Sequence, residues 1–151
     1  MRAIGYASPG PASVLEDIDL PDPVASGRDL LVEVRAISVN PVDTKLRVRG
    51  GAEPGQQYKV LGWDVAGVVR AVGTDVRGFA PGDEVWYAGS VVRPGANSEL
   101  HLVDERIAAK KPASLDFSAA AAMPLTSITA WELLFDRLGA ARDGGEGQAL
   151  R

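Results

Sequence analysis

The sequence predicts a mainly β fold, a twisted and partly closed antiparallel barrel followed by a helical arm, so that the chain is α+β overall. Two observations support this prediction. Short apolar or alternating segments, separated by Gly and Pro, fill the first two-thirds of the 151 residues. The periodicity then becomes helical in an Ala-rich stretch that begins at Leu115. We therefore divide the chain into residues 1–113, the barrel, and 114–151, the arm.

Six segments predict the strands of the barrel: residues 1–6, 14–19, 29–39, 65–72, 84–88 and 99–103. The third alternates, with Val32, Val34 and Ala36 on the face opposite Leu31, Glu33 and Arg35, as in a half-buried strand. The fourth is apolar on both faces apart from Arg70, which predicts a central strand.

Gly and Pro mark the turns between these strands. Pro81 and Gly82 suit the two central positions of a type II turn. Gly67 lies inside a predicted strand, where glycine is typical of a close approach by another backbone or a ligand. Residues 49–57 contain three glycines and a proline, which predicts a loop.

The sequence of the arm predicts two helices. The first is short and ends at Pro124, and the second runs from about Thr126 to Leu138. Gly139 is a suitable C-terminal cap, and residues 144–147 are interpreted as a linker. One face of the second helix carries an apolar stripe, which consists of Ile128, Trp131, Leu134, Phe135 and Leu138. This face must be buried against another part of the protein or a partner.

Composition excludes several classes of function. The 16 basic and 20 acidic residues are mixed along the chain and give a net charge of −4, so no basic surface is available for nucleic acid. The absence of Cys removes thiolate nucleophiles and Cys-based zinc sites, and His101 is the only histidine. No segment is long and apolar enough to span a membrane or to form a signal peptide. We therefore expect a cytoplasmic protein.

Four segments together resemble the N-terminal, GroES-like catalytic domain of the medium-chain dehydrogenases/reductases. They are VNPVDTKLR at 39–47, LGWDVAGVV at 61–69, PGDEV at 81–85 and PLTSITAW at 124–131. The subgroup that they resemble contains NADPH-dependent quinone oxidoreductases and zinc-type alcohol dehydrogenase-like proteins. The resemblance implies a GroES-like, partly closed barrel, and a second, nucleotide-binding (Rossmann) half that begins after residues 146–150 in the family. The Gly-x-Gly-x-x-Gly motif of that half does not occur here, so we expect the Rossmann half to be absent from this sequence.

The resemblance also implies which positions hold the catalytic metal in zinc-dependent members. These positions fall on Asn40, Trp63 and about Leu125. An amide, an indole N–H and an alkyl chain cannot replace the zinc ligands. We therefore expect no metal site and no zinc.

Asn40 and Trp63 each keep a structural alternative beside the functional one. Asn40 is suited to capping the helix that Pro41 begins, whereas the resemblance implies that Asn40 lines the nicotinamide and substrate cleft as a catalytic and cofactor-binding residue. Trp63 is either a core residue or, at the vanished metal position, a wall of the cleft that acts in catalysis.

The remaining candidates are Thr129, Asp64 and His101. The resemblance implies that Thr129 contacts the nicotinamide, and its structural alternative is a hydroxyl bonded to the preceding helical turn. For Asp64 we favour pairing with a nearby arginine. We expect His101 to be a surface or hydrogen-bonded side chain and not a catalyst.

The resemblance implies a function. It indicates the catalytic portion of an NADPH-dependent oxidoreductase that reduces quinones, enones or activated carbonyls and acts on a small molecule. Because the absence of the other half would leave the apolar stripe uncovered, we expect the chain to form a homodimer. We expect the 151 residues alone to be inactive, because the other half supplies most of the cofactor site. Two alternatives remain: an alcohol dehydrogenase relative that has lost its metal site, and a non-catalytic GroES-like interaction module.

Overall fold

The computed structural model describes residues 1–143, so the predicted linker at 144–147 and the residues after it lie outside the described part. These described residues contain eight strands: β1 (Arg2–Tyr6), β2 (Glu16–Asp19), β3 (Asp29–Ser38), β4 (Lys59–Val60), β5 (Asp64–Val72), β6 (Glu84–Ala88), β7 (Leu100–Asp104) and β8 (Ala108–Lys110). The helices are α1 (Pro41–Arg49), α2 (Phe117–Ala121) and α3 (Pro124–Trp131), and a π-helical segment (Glu132–Arg137) continues α3.

The strands form two antiparallel sheets. The smaller sheet has the order β2-β1-β4, and the larger has the order β7-β3-β5-β6-β8. The segment before β7 joins them, because the Ile4 amide donates to the Asn97 carbonyl and the Val34 amide donates to the Glu99 carbonyl. Within residues 1–143 the strands form two sheets and no closed barrel, which confirms the mainly β, incompletely closed architecture.

The main core is formed by the inward-facing side chains of the larger sheet. The central strand β5 contributes Val65 and Val69, and both are fully buried, as predicted for a strand that is apolar on both faces. The other buried members of this core are Leu30, Val32, Val85, Tyr87, Ala96 and Val103.

The glycines named from the sequence occupy the positions predicted for them. A Cβ on Gly67 would overlap the carbonyl oxygen of Glu33 on the neighbouring strand, so the close approach of β3 and β5 requires glycine there. Gly82 has φ +95°, and the Asp83 amide donates to the Ala80 carbonyl at 3.1 Å, which closes the predicted turn.

Several element bounds differ from the predictions. The strand predicted over 14–19 begins only at Glu16, because residues 12–14 form a 3₁₀ turn in which the Val14 amide donates to Pro11. The short strands β4 and β8 were not predicted, since two or three residues are too few for a periodic pattern. Pro124 begins α3 instead of ending the helix before it, because the first position of a helix needs no N–H donor.

Helix α2 attaches the arm to the barrel. Ala120 and Ala121 are fully buried and pack with Ala66 of β5, together with the half-buried Ala36 and Trp86. The small side chains allow the helix backbone to come close to the sheet. The N-terminus of α3 is thereby held over the beginning of β5, where the candidate site residues meet.

Candidate functional site

Strand β3, helix α1 and helix α3 converge on the first residue of β5. Asn40 connects β3 to α1 in an extended conformation, and Pro41 occupies the first helical position. The Asp43 carboxylate accepts a hydrogen bond from the Asn40 backbone amide at 2.7 Å, which satisfies a donor at the start of the helix. Its other oxygen accepts from the Gly62 amide at 2.9 Å, so Asp43 also fixes the turn before β5.

Asp64 is the centre of this arrangement and is fully buried. Its Oδ2 atom accepts hydrogen bonds from Ser38 Oγ at 2.9 Å and from Asn40 Nδ2 at 2.7 Å. Its Oδ1 atom accepts from the backbone amide of Leu125 at 2.8 Å. Three donors from three elements therefore satisfy one buried carboxylate.

The prediction that Asp64 pairs with an arginine is wrong. Within residues 1–143, the ion pairs of the chain do not include Asp64. The physical reason is its position at the inner end of β5, where the ends of β3 and of two helices supply neutral donors and leave no room for a guanidinium group.

Trp63 is only 2% exposed. Its indole packs with Tyr6 and Leu61, and its Nε1–H donates to the Ser90 carbonyl at 3.0 Å. The side chain thus has the contacts expected of the core alternative. Its role as a wall of the cleft stays a prediction.

Thr129 is exposed on α3, one turn after Leu125. Its hydroxyl donates to the Leu125 carbonyl at 2.9 Å, which is the bond to the preceding turn that the structural alternative predicted. Because the side chain reaches solvent, the same hydroxyl oxygen is able to accept from a ligand. Its contact with a nicotinamide stays a prediction.

His101 is 5% exposed and hydrogen-bonded within the core, in agreement with one of its two expected non-catalytic states. Its Nε2 atom lies 3.1 Å from the Pro94 carbonyl, and its Nδ1 atom lies 2.9 Å from the Tyr87 hydroxyl. Since a carbonyl only accepts, we assign the ring proton to Nε2 and the donor role to Tyr87. Burial lowers the pKa of His101 from its usual 6.5 to about 4 and raises the pKa of Tyr87, so both remain neutral at pH 7.

The residues at the three positions where the resemblance implies metal ligands do not fit a zinc ion. Asn40 directs an amide nitrogen to Asp64, Trp63 directs an N–H to Ser90, and Leu125 contributes a backbone N–H to Asp64. All three offer hydrogen-bond donors, whereas zinc requires lone pairs from Cys, His or carboxylate groups. In the described part of the chain, no three His, Asp or Glu side chains form a cluster able to hold a metal ion.

Sequence reasoning identified Asn40 and Leu125 as neighbours of one site but missed the residue that joins them. Asp64 is the one acidic residue in an otherwise apolar stretch from Leu61 to Val69. A carboxylate in such a stretch must be buried with partners. That signal could have identified Asp64 as the centre, although not its three donors.

Comparison with known proteins establishes the family. The sequence matches the alcohol dehydrogenase GroES-like domain over residues 26–113, more than half of the chain. The chain belongs to this family, within the medium-chain dehydrogenases/reductases.

The relatives of this GroES-like domain are oxidoreductases. A zinc-type alcohol dehydrogenase-like protein of Staphylococcus epidermidis is 40% identical over 97% of this chain and 44% of its own length. Among solved structures, a Rhizobium etli protein assigned to the zinc-dependent alcohol dehydrogenases is 58% identical, with a TM-score of 0.86 over 91% of this chain and 41% of that one. The Escherichia coli quinone oxidoreductase, solved with NADPH, is 31% identical, with a TM-score of 0.82 over 93% and 41%. The chain thus spans less than half the length of these relatives.

Proposed function

We propose that this chain is the catalytic-domain portion of an NADPH-dependent oxidoreductase that reduces quinones, enones or other activated carbonyl compounds. The observation that carries the proposal is the set of groups at the three positions where the resemblance implies metal ligands. The Asn40 amide nitrogen, the Trp63 indole N–H and the Leu125 backbone N–H donate inward to Asp64 and Ser90. Without a Lewis acid to polarise a carbonyl, a substrate must already be electron-poor. This favours quinones and enones over simple alcohols.

The positions of the side chains support the proposed roles. Asn40 is half-buried, and one N–H of its amide is used on Asp64, so the other is able to donate to a substrate oxygen. Thr129 would contact the nicotinamide from α3, and Trp63 would support the wall of the cleft. When bound, NADPH would supply the hydride, and a proton from solvent would complete the reduced product.

The same proposal includes the setting of the enzyme. We propose a homodimeric, cytoplasmic protein that acts on a small molecule, without nucleic acid or membrane partners. The mixed charges and the net charge of −4 support the absence of a nucleic-acid partner. No helix within residues 1–143 is long and apolar enough to cross a bilayer.

The test uses the chain in two forms. In the first, the 151 residues alone are mixed with NADPH and 9,10-phenanthrenequinone. In the second, which we term the fusion, this chain replaces the matching part of the Rhizobium etli relative. We expect quinone-dependent oxidation of NADPH by the fusion and none by the chain alone. Rapid turnover by the 151 residues alone would show that the cofactor site is misplaced in the proposal.

Metal content provides the second arm of the test. We expect less than a stoichiometric amount of zinc by elemental analysis of the dialysed chain, and fusion activity that a chelator does not reduce. One equivalent of zinc per chain, or alcohol oxidation by the fusion that a chelator abolishes, would contradict the proposal in favour of a zinc-dependent dehydrogenase.

A further inference from the structure

The hydrogen bond between Asp64 and Asn40 determines how the Asn40 amide is oriented. A carboxylate only accepts hydrogen bonds, whereas an amide has one end that donates and one that accepts. With Asn40 Nδ2 at 2.7 Å from Asp64 Oδ2, the donating end faces the carboxylate. The reversed amide would place two acceptor oxygens against each other at a fully buried group, which is costly.

The other oxygen of Asp64 determines where α3 begins. Met123 precedes the helix without a side-chain cap, and Pro124 has no N–H, so the Leu125 amide is the first donor at this end. Asp64 Oδ1 accepts from this amide at 2.8 Å. The carboxylate therefore caps α3 from a distant part of the sequence and places its negative charge at the positive end of the helix.

Asp64 thus links the two residues proposed for the cleft. Asn40 belongs to the barrel, and Thr129 lies on α3 one turn after Leu125. One oxygen of Asp64 orients the first, and the other fixes the helix that carries the second. Ser38 is not proposed for the cleft, unlike Asn40 and Thr129. Within the described residues, its hydroxyl donates to Asp64 Oδ2.

We infer that Asp64 is a positioning residue. It keeps the amide nitrogen of Asn40 directed toward the buried carboxylate, and it holds Asn40 in a fixed position relative to Thr129 on α3. The effect of Asp64 on kinetics rests on the proposed function. The effect of Asp64 on the orientation of the Asn40 amide does not depend on that function. A residue that merely stabilised the fold would have no effect on which end of Asn40 faces the carboxylate.

The first experiment uses the 151-residue chain and Asp64→Asn, which keeps the shape of the side chain. The new amide keeps one oxygen for Leu125 and presents an NH₂ group to Asn40, which must then turn its own oxygen inward. By NMR with ¹⁵N labelling, we expect the side-chain NH₂ of Asn40 to be protected from hydrogen exchange in the wild type and unprotected in Asp64→Asn. The backbone amide of Leu125 should stay protected in both. Unchanged Asn40 signals in Asp64→Asn would overturn the inference.

The second experiment measures kinetics in the fusion. We expect Asp64→Asn to lower kcat for the quinone by roughly 10- to 100-fold, because a small misplacement of a reacting group has effects of this size. Ser38→Ala is the matched control, since it removes one donor from the same carboxylate oxygen but keeps the bonds to Asn40 and Leu125, and it should lower kcat far less than Asp64→Asn. The double variant Asn40→Asp with Asp64→Asn restores the hydrogen bond with reversed polarity. It should regain thermal stability but not kcat.

The outcomes separate the two proposals. Equal loss of kcat in Ser38→Ala and Asp64→Asn would mean that Asp64 acts through stability alone, and the inference would fail. A wild-type fusion without quinone-dependent turnover would contradict the proposed function, while the NMR measurement would still decide the orientation of Asn40.

Discussion

At the scale of single residues, the family pattern and the fold lead to different expectations for the role of Trp63. The pattern places Trp63 at a lost metal-ligand position and therefore in a cleft. The fold surrounds it with Tyr6 and Leu61 and engages its N–H with Ser90. Burial of this kind stabilises the fold whatever the residue contributes to a substrate site.

We expect Trp63→Ala to lower the free energy of unfolding by about 3–5 kcal/mol, because a buried aromatic side chain leaves both lost contacts and a cavity. Chemical denaturation of the 151-residue chain measures this value. Val92→Ala is the control, since that side chain is 89% exposed and lies outside residues 125–138, so the change should cost much less. The cleft prediction adds a rise in KM for the quinone in the fusion, and an unchanged KM would leave Trp63 with a core role only.

His101 gives a prediction for the pH dependence of stability. The pKa of His101 is about 4 in the folded chain, whereas a histidine in the unfolded chain has a pKa of 6.5. Between these values the unfolded state binds more protons, so stability should fall as the pH falls from 6.5 to 4, by about 3 kcal/mol in total. Above pH 6.5 the residue should have no such effect.

Denaturation curves at a series of pH values test this prediction against His101→Gln. Glutamine can still donate to Pro94 and accept from Tyr87, but it does not titrate. We expect the difference in stability between the two proteins to vary with pH only below 6.5. The same pH dependence in both proteins would show that other groups cause the acid effect.

At the scale of elements, α3 differs from its sequence prediction in its hydrogen bonding. The apolar stripe predicted one helix over 126–138, but the α-helix ends at Trp131 and a π-helical segment follows to Arg137. Trp131 and Phe135 still meet, with their ring centroids 4.5 Å apart, and Arg142 lies over both rings. Spacing of apolar residues indicates which side chains share a face, but it does not distinguish hydrogen bonds to the fourth and to the fifth preceding residue.

The contact of β3 with β5 provides a prediction at the same scale. Gly67→Ala should destabilise the chain by about 1–3 kcal/mol, because the added methyl group overlaps the Glu33 carbonyl and the strands must separate. Thermal unfolding measures the effect. Gly78→Ala is the matched control, since the new Cβ would lie 3.7 Å from Glu105 and should be tolerated. Equal stability of the two variants would contradict the close approach as the reason for Gly67.

At the scale of the whole molecule, the apolar stripe is only partly covered by the described residues. Ile128, Trp131 and Leu138 are about half exposed, whereas Leu134 and Phe135 are half-buried. An open groove of about 350 Å³ continues this surface between α3 and β6. Each large apolar side chain left in water forgoes roughly 1.5–3 kcal/mol of burial. Patches of this kind usually find a partner.

We therefore predict that the 151-residue chain associates with itself through residues 125–138. Analytical ultracentrifugation should show a dimer that Trp131→Glu and Phe135→Glu convert to a monomer, because each change places a charge in the apolar contact. Ala130→Glu on the same helix, outside the stripe, is the control. A strictly monomeric wild type in which this helix is well protected from hydrogen exchange would contradict the prediction.

The mainly β class, the central strand, the turn at Pro81 and the need for Gly67 could all be predicted from the amino-acid sequence, because each depends on local backbone preference or on alternation along one segment. The family resemblance further placed Asn40 and Leu125 together at one site. Three findings required the three-dimensional packing: Asp64 joins these two residues, Trp63 is buried, and His101 bonds to Tyr87. Each of these contacts connects residues that are 14 or more positions apart. A pattern along the chain shows that a polar group must be buried, but only the packing of the sheets and helices determines which donors reach it.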